Sequence, residues 1–299
     1  MKLLLQIGIF LLASTVVAGC SSAGKTETVR TGRTVTDDLG RRIAVPEKIA
    51  RAISLAPSIT ESIFAAGAGD RLVGVTTYCN YPEEALAIEK VGDTQTPNIE
   101  RIIALKPDIV FVSTASQLES FMNVLAGQKI AVYVSNAGNF EDVLRGLRDF
   151  GNLFGTSRTA DAAAAELERR AAAISAQGLG KPKARVFVQI SKEPLFTIGK
   201  TSFLTEIIER AGGISVTREV ESGYPKLSKE TALALDPEVI ILSDSEDNPD
   251  PNAVLKNSTA VKNGRVFKIN ADIISRPGPR LVDAMEQIAR FLHSERAAN

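Results

Sequence analysis

The sequence predicts an α/β protein made of two Rossmann-like lobes joined by one long helix. Three observations carry this. A helix–proline–strand unit occurs twice, short apolar strands end in polar loops in both halves, and a helical stretch free of glycine and proline lies between them.

Residues 100–113 read E-R-I-I-A-L-K-P-D-I-V-F-V-S, and residues 230–243 read E-T-A-L-A-L-D-P-E-V-I-I-L-S, about 130 positions later. Aligned without a gap, Glu, Ala, Leu, Pro and Ser coincide, and an acid follows each proline. Asn98 and Ser228 precede the two copies, and either side chain can accept from the orphan N–H groups of a first helical turn. Each helix must stop before Pro107 or Pro237, because proline disfavours helical geometry in the residue before it. The apolar run that follows suits a parallel strand covered on both faces. Two similar units imply two lobes, with a ligand between them.

The first lobe spans residues 35–154. Strands are predicted at 52–55, 72–75 and 130–134, and helices at 117–127 and 142–154. Ser58 stands three residues before Glu61, the spacing of a capping box. In parallel sheets ligands gather at the carboxyl ends of strands, which makes Pro57 and Ser58 candidate cleft residues. Tyr78 and Tyr81 share the loop after the second strand; Tyr78 is expected to face the cleft, with Tyr81 packed under Pro82. Residues 155–178 form the connector. Its helical run, residues 157–176, would span roughly 30 Å at 1.5 Å per residue and make a stiff joint. The second lobe, 179–299, opens with a strand at 185–190 and has a helix over 203–211 that ends at Gly212-Gly213. Tyr224 sits in a turn before the second repeat copy. A last strand at 265–269 runs into a loop carrying Asp272 and Arg276. Arg280 is expected to begin the final helix, which ends near His293.

Composition narrows the function. Of 299 residues 44% are hydrophobic, and 35 basic side chains balance 35 acidic ones, so there is no basic footprint for nucleic acid. Residues 1–19 have a basic start, a short apolar run and small residues at the end, the plan of a secretory signal. Residues 20–34 are polar and aperiodic and read as a tether. G-C-S-S-A-G-K-T at residues 19–26 matches the phosphate-cradling pattern, but that mechanism needs a strand and a helix on either side, and here the match straddles a cleavage site. Of two cysteines, Cys79 lies in the lobes and reads as a buried thiol without a disulfide partner.

V-A-G-C at residues 17–20 resembles the lipobox of bacterial lipoproteins, which implies cleavage before Cys20 and a lipid on its thiol. With A-P-S-I-T-E, G-V-T-T-Y-C-N-Y-P, N-I-E-R-I-I-A-L-K-P-D-I-V and R-P-G-P-R, the chain resembles the substrate-binding proteins of ABC importers. It is most similar to the subgroup that takes cobalamin, ferric siderophores and haem, and within that to the cobalamin binders. The resemblance implies a helical-backbone periplasmic binding protein, exported and lipid-anchored, facing the periplasm or cell exterior. It implies a permease dimer with ATPase subunits as partner, and a corrinoid or ferric chelate as ligand. Glu100 and Glu230 match the acids that dock into the permease. Tyr78, Tyr224, Asp272 and Arg276 match cleft positions; where the cobalamin binder carries tryptophans, this chain has Thr94 and Tyr224.

A ferric-siderophore or haem receptor is the alternative in the same class. A bare zinc or manganese receptor would want several nitrogen ligands, and the chain has one histidine, His293, expected on a helix surface. No cofactor or resident metal is expected. No nucleophile elbow or strand-linked glycine fingerprint supports an enzyme, and the Asp272/Arg276 pair reads more plainly as a clamp than as an acid–base couple.

Overall fold

A computed structural model describes residues 32–114 and 119–293; the signal segment, Cys20 and the tether up to residue 31 lie outside the described residues. The chain enters through a hairpin, β1 (Gly32–Thr36) and β2 (Arg42–Pro46). The first lobe follows as β3 (Ala52–Ser54), α1 (Pro57–Ala65), β4 (Leu72–Val75), α2 (Ile99–Ala104), β5 (Ile109–Ser113), α3 (Glu119–Gly127), β6 (Ala131–Ser135) and α4 (Phe140–Phe154). The connector is α5 (Ser157–Gln177). The second lobe is β7 (Ala184–Gln189), α6 (Phe203–Arg210), β8 (Gly213–Ser215), α7 (Lys229–Leu235), β9 (Val239–Asp244), α8 (Thr259–Lys262), β10 (Val266–Asn270), α9 (Ala271–Ile274) and α10 (Leu281–His293).

The strand orders are β4-β3-β5-β6 and β8-β7-β9-β10, so both sheets place the lobe's second strand, then its first, third and fourth. Every pairing in both is parallel. The duplication seen in the sequence is therefore a duplication of topology. Continuous apolar strands follow from burial on two faces. In β5, Ile109 and Phe111 join one apolar cluster while Val110 and Val112 join another. In β9, Val239 and Ile241 face one cluster, and Ile240 and Leu242 face the other.

The corners of the repeated unit match down to individual bonds. Lys106 and Asp236, each before a proline, take positive φ (49° and 35°), which turns the chain out of the helix. The acid after each proline then ties the corner to the lobe's first strand. Asp108 accepts from the Ala50 and Arg51 amides at 2.8 and 3.0 Å, and Glu238 accepts from the Arg185 amide at 2.8 Å. Arg51 and Arg185 reciprocate, each donating to a carbonyl at the end of the helix, Leu105 or Leu235.

Several details differ from the sequence reading. The tether stops earlier than predicted, because Gly32–Thr36 already pairs with Arg42–Pro46. Ser58 is not a cap: the N-cap of α1 is Ala56, without a side-chain bond, and Pro57 occupies the first turn. Arg280 precedes α10 and turns toward the other lobe. A short edge strand, β8, follows Gly212, whose φ of 92° lets the chain reverse at once. His293 is half-buried against Gly212, and its Nε2 has no hydrogen-bond partner.

The connector is one unbroken helix that buries Ala160, Ala164, Leu167, Ala171 and Ile174, a stripe repeating every three to four residues. Its approach to α4 is close: a Cβ on Gly151 would come within 2.4 Å of the Ala160 Cβ. Phe140, Val143, Leu144 and Leu147 of α4 share one apolar cluster with Phe203, Leu204 and Ile207 of α6. The lobes are thus joined by core packing as well as by chain.

Candidate ligand-binding cleft

A cleft of about 390 Å³ opens between the lobes at the carboxyl ends of β3, β5, β6 and β7. That is where order reverses about the first strand of each sheet, the usual place for a ligand in such folds. The first-lobe wall sets the hydroxyls of Ser58, Ser113, Thr114 and Ser135 and the amide of Asn136 beside the apolar Ile59, Val143 and Phe150. The second-lobe wall sets Ile190, Phe203, Tyr224 and Pro277 beside Thr201, Ser202 and Ser275.

The polar wall is held in place from behind. The Thr114 hydroxyl donates to Asn136 Oδ1 at 2.8 Å, and the Asn136 amide donates to Asp38 Oδ2 of the entry hairpin at 2.7 Å. Asp142 is the one charged side chain among the lining residues described. It is already neutralised, accepting from Arg145 at 2.5 Å and from the Gly138 amide at 3.0 Å. On the opposite wall, burial pushes the Tyr224 phenol up, and its hydrogen bond with Ser202 works against that shift. The cleft consequently combines apolar surface with hydrogen-bonding groups and carries no uncompensated charge.

One seam of the cleft is closed by ionic bonds between the lobes. Arg276 donates to Glu61 Oε1 at 3.0 Å, to Asn80 Oδ1 at 2.8 Å, to the Tyr78 carbonyl at 3.1 Å and to Asp272 Oδ1 at 2.5 Å. Arg280 grips both oxygens of Glu61, at 2.9 and 2.6 Å, and lies 4.3 Å from the centre of the Tyr81 ring. Asn80 closes the circuit with a 2.7 Å bond to Asp272.

Of the positions expected to meet a ligand, Ser58 and Tyr224 line the cleft. Asp272 and Arg276 are instead placed in the seam, where their charges are spent on each other and on Glu61. Tyr78 joins the seam through its carbonyl while its side chain stays exposed, and Tyr81, expected under Pro82, is also exposed and faces Arg280. Pro57 and Thr94 are not among the lining residues. Thr94 lies in a turn closed by Asp93, whose carboxyl is held low by the backbone and hydroxyl of Thr96 and by the Gln95 amide. Glu61, Asn80, Asn136 and Asp142 escaped the sequence reading. Glu61 had a signal: an acid in a helix of small and apolar residues, and Arg280 four residues after Arg276 with no acid assigned to it. Cys79 is buried, as expected, between the hydroxyls of Thr60 and Thr76.

Glu100 and Glu230 are both exposed, each in the first turn of its helix. The caps are those predicted, Asn98 to the Arg101 amide at 2.9 Å and Ser228 to the Thr231 amide at 3.1 Å. The Glu230 carboxyl is held below its ordinary range by its own amide and the Ser228 hydroxyl.

The periplasmic binding protein family model matches residues 53–273, most of both lobes. The chain belongs to the periplasmic binding protein family. A vitamin B12-binding protein of Vibrio cholerae is 31% identical over 252 residues, 84% of this chain and 91% of that protein. An ABC transporter substrate-binding lipoprotein of Bacillus subtilis is 29% identical, covering 95% of each chain. Among solved structures, the periplasmic vitamin B12 binding protein of Vibrio cholerae superposes with a TM-score of 0.71 at 30% identity, covering 82% of this chain and 96% of that one. A periplasmic heme binding protein of Pseudomonas aeruginosa gives 0.74 at 24% identity, covering 83% and 94%, which speaks for the fold. The family is one of exported binding proteins, and no helix among the described residues is long and apolar enough to cross a membrane.

Proposed function

We propose that this protein is the substrate-binding receptor of an ABC importer that captures a cobalamin-like corrinoid between its lobes and delivers it to the permease. The observation that carries this reading is the electroneutral cleft. Haem presents propionates and many ferric siderophores are anionic, so a receptor for either should offer arginine or lysine to the ligand. Here the nearest guanidiniums are bound to Asp142, Glu61 and Asp272. A corrinoid carries a rim of neutral amides around a flat apolar ring. Hydroxyls and Asn136 on one wall suit the amides, and Tyr224 with Phe203 on the other suits the ring. At about 390 Å³ the cleft is at the small end of the roughly 300–1,000 Å³ common for ligand sites, so a corrinoid would be gripped by one edge, with Tyr78 beside the exposed part. The names of the relatives point the same way.

In this reading Ser58 and Tyr224 contact the ligand directly, and Tyr78 extends the contact at the mouth. Asp272, Arg276, Pro57 and Thr94 act one step back, by shaping the loops. Glu100 and Glu230 dock to the permease, and Cys20 carries the lipid that keeps the receptor at the membrane. The chain does no chemistry on its cargo. Titration with cyanocobalamin, haemin and a ferric hydroxamate siderophore, followed by visible absorption, tests this. Saturable cyanocobalamin binding at micromolar concentration or below is expected, with weaker binding of the other two; the reverse order would replace the corrinoid reading with the haem or siderophore one.

A further inference from the structure

We propose that Glu61 is a positioning residue for capture: it fastens the two lobes at one seam and thereby sets the spacing of the cleft walls, without touching the ligand. The proposal rests on the corrinoid-receptor reading only for its affinity measurement; the lobe spacing can be measured without any ligand.

Glu61 belongs to α1 of the first lobe, and its side chain is 1% exposed. Arg276 and Arg280 reach it from the second lobe, and they are 11% and 14% exposed. Both guanidiniums converge on the same oxygen, Glu61 Oε1, at 3.0 and 2.6 Å. Two largely buried cations so placed are bridged by Glu61, while Asp272 pairs with Arg276 alone. Remove the Glu61 charge and Arg280 loses its carboxylate partner beside Arg276, because a largely buried pair broken on one side leaves its partner uncompensated. A neutral glutamine of the same shape cannot replace the carboxylate, since its NH₂ would meet the Arg280 donors head-on. The rest of the circuit is saturated: Asp272 takes Arg276 and Asn80, and the face of Arg280 lies over Tyr81.

The seam is also a wall of the cleft. Ser275 and Pro277 line the cleft and flank Arg276 in the chain, and Ser58 lines it from the same helix as Glu61. The loop packs on that helix directly: a Cβ on Gly278 would lie 3.4 Å from the Ser58 carbonyl. Moving Arg276 and Arg280 away from Glu61 therefore moves Pro277 away from Ser58. A second tie, the Phe140 amide to Glu206 at 3.1 Å together with Arg210 to Glu141 at 3.4 Å, holds α4 to α6. Loss of Glu61 should accordingly tilt the lobes about the α4–α6 contact and not separate them outright.

Spin labels at Glu83 and Lys262, exposed positions in the two lobes, report the spacing by pulsed electron resonance in the ligand-free protein. The wild-type chain should give one narrow distance distribution, and Glu61→Gln a broader one shifted to longer distance. If the closed arrangement falls to about a tenth of the population, the apparent Kd for cyanocobalamin rises about tenfold, with Glu61→Asp recovering part of the loss. An unchanged distribution in Glu61→Gln overturns the fastening role. Widened lobes with unchanged affinity overturn the link to capture. Should Glu61→Gln not fold, Asp272→Asn, which weakens the more exposed half of the circuit, must widen the distribution to a smaller extent, or the proposal fails. If wild-type protein binds no cyanocobalamin, the corrinoid reading falls while the distance measurement still decides the fastening role.

Discussion

At Gly146 stability and the proposed ligand contact pull in opposite directions. It lies inside α4, lines the cleft, and has nothing within 4 Å of the place a Cβ would occupy. A glycine inside a helix costs roughly 0.5–1 kcal/mol relative to alanine. Gly146→Ala should therefore raise stability by about that amount in denaturant titration, while weakening cyanocobalamin binding by putting a methyl group into the cleft. Equal affinity in the variant would show that the ligand does not approach α4. His293 bears on stability instead, through its protonation. Burial first, and Lys181 second, lower its pKa, so the folded state favours the neutral ring. The unfolded chain binds the proton more readily, and stability is lost as pH falls from the ordinary value of about 6.5 toward the lowered one. Unfolding midpoints compared at pH 7.5 and 5.5 should show that loss, and His293→Gln should flatten it.

At the scale of elements, the two helix–proline–strand corners share a backbone but not a side-chain task. Lys106 holds positive φ, and the strain of a left-handed non-glycine residue is its main local effect. Lys106→Gly should be neutral or stabilising, by up to about 1 kcal/mol. Asp236 holds the same geometry, but its carboxylate accepts from the Thr259 amide at 2.7 Å and hydroxyl at 3.0 Å. Those bonds anchor α8 and lower the Asp236 pKa. Asp236→Gly should destabilise, and the opposite signs of the two variants in thermal melts would establish the difference. This contrast could not be read from the aligned repeats, which show only that Lys and Asp occupy equivalent places. It depends on what lies across from each corner, and residues 23 positions away in sequence supply it.

For the whole molecule, the lobes form a single mechanical body. A continuous apolar cluster runs from α4 through α5 into the second sheet, ionic ties cross between the lobes at Glu61, and Arg170 of the connector binds Asp283 and Glu286 of α10 at 2.7 and 3.0 Å. Such a receptor captures with little closure, and the acids proposed to meet the permease, Glu100 and Glu230, keep a fixed relation to the cleft. Glu100→Arg with Glu230→Arg should abolish transport in a reconstituted importer and leave the cyanocobalamin Kd unchanged, since the acids are exposed and do not line the cleft. A loss of affinity in that double variant would contradict separate surfaces for capture and docking.

The sequence by itself determined the lobes, their shared unit, the connector and the strand-end loops that face the cleft. Local rules suffice for these: proline ends a helix, an asparagine or serine starts one, and a continuous apolar run must be covered on both sides. Tertiary structure decided which of the polar residues in those loops face the gap and which fasten its edges. Glu61 and Arg276 are 215 residues apart. The two neighbourhoods supply an acid among apolar residues and two arginines four apart, but neither specifies that they will meet. Only the packing of one lobe on the other buries Glu61 and largely covers the two guanidiniums, and that loss of water is what turns an ordinary acid and two ordinary bases into a fastening.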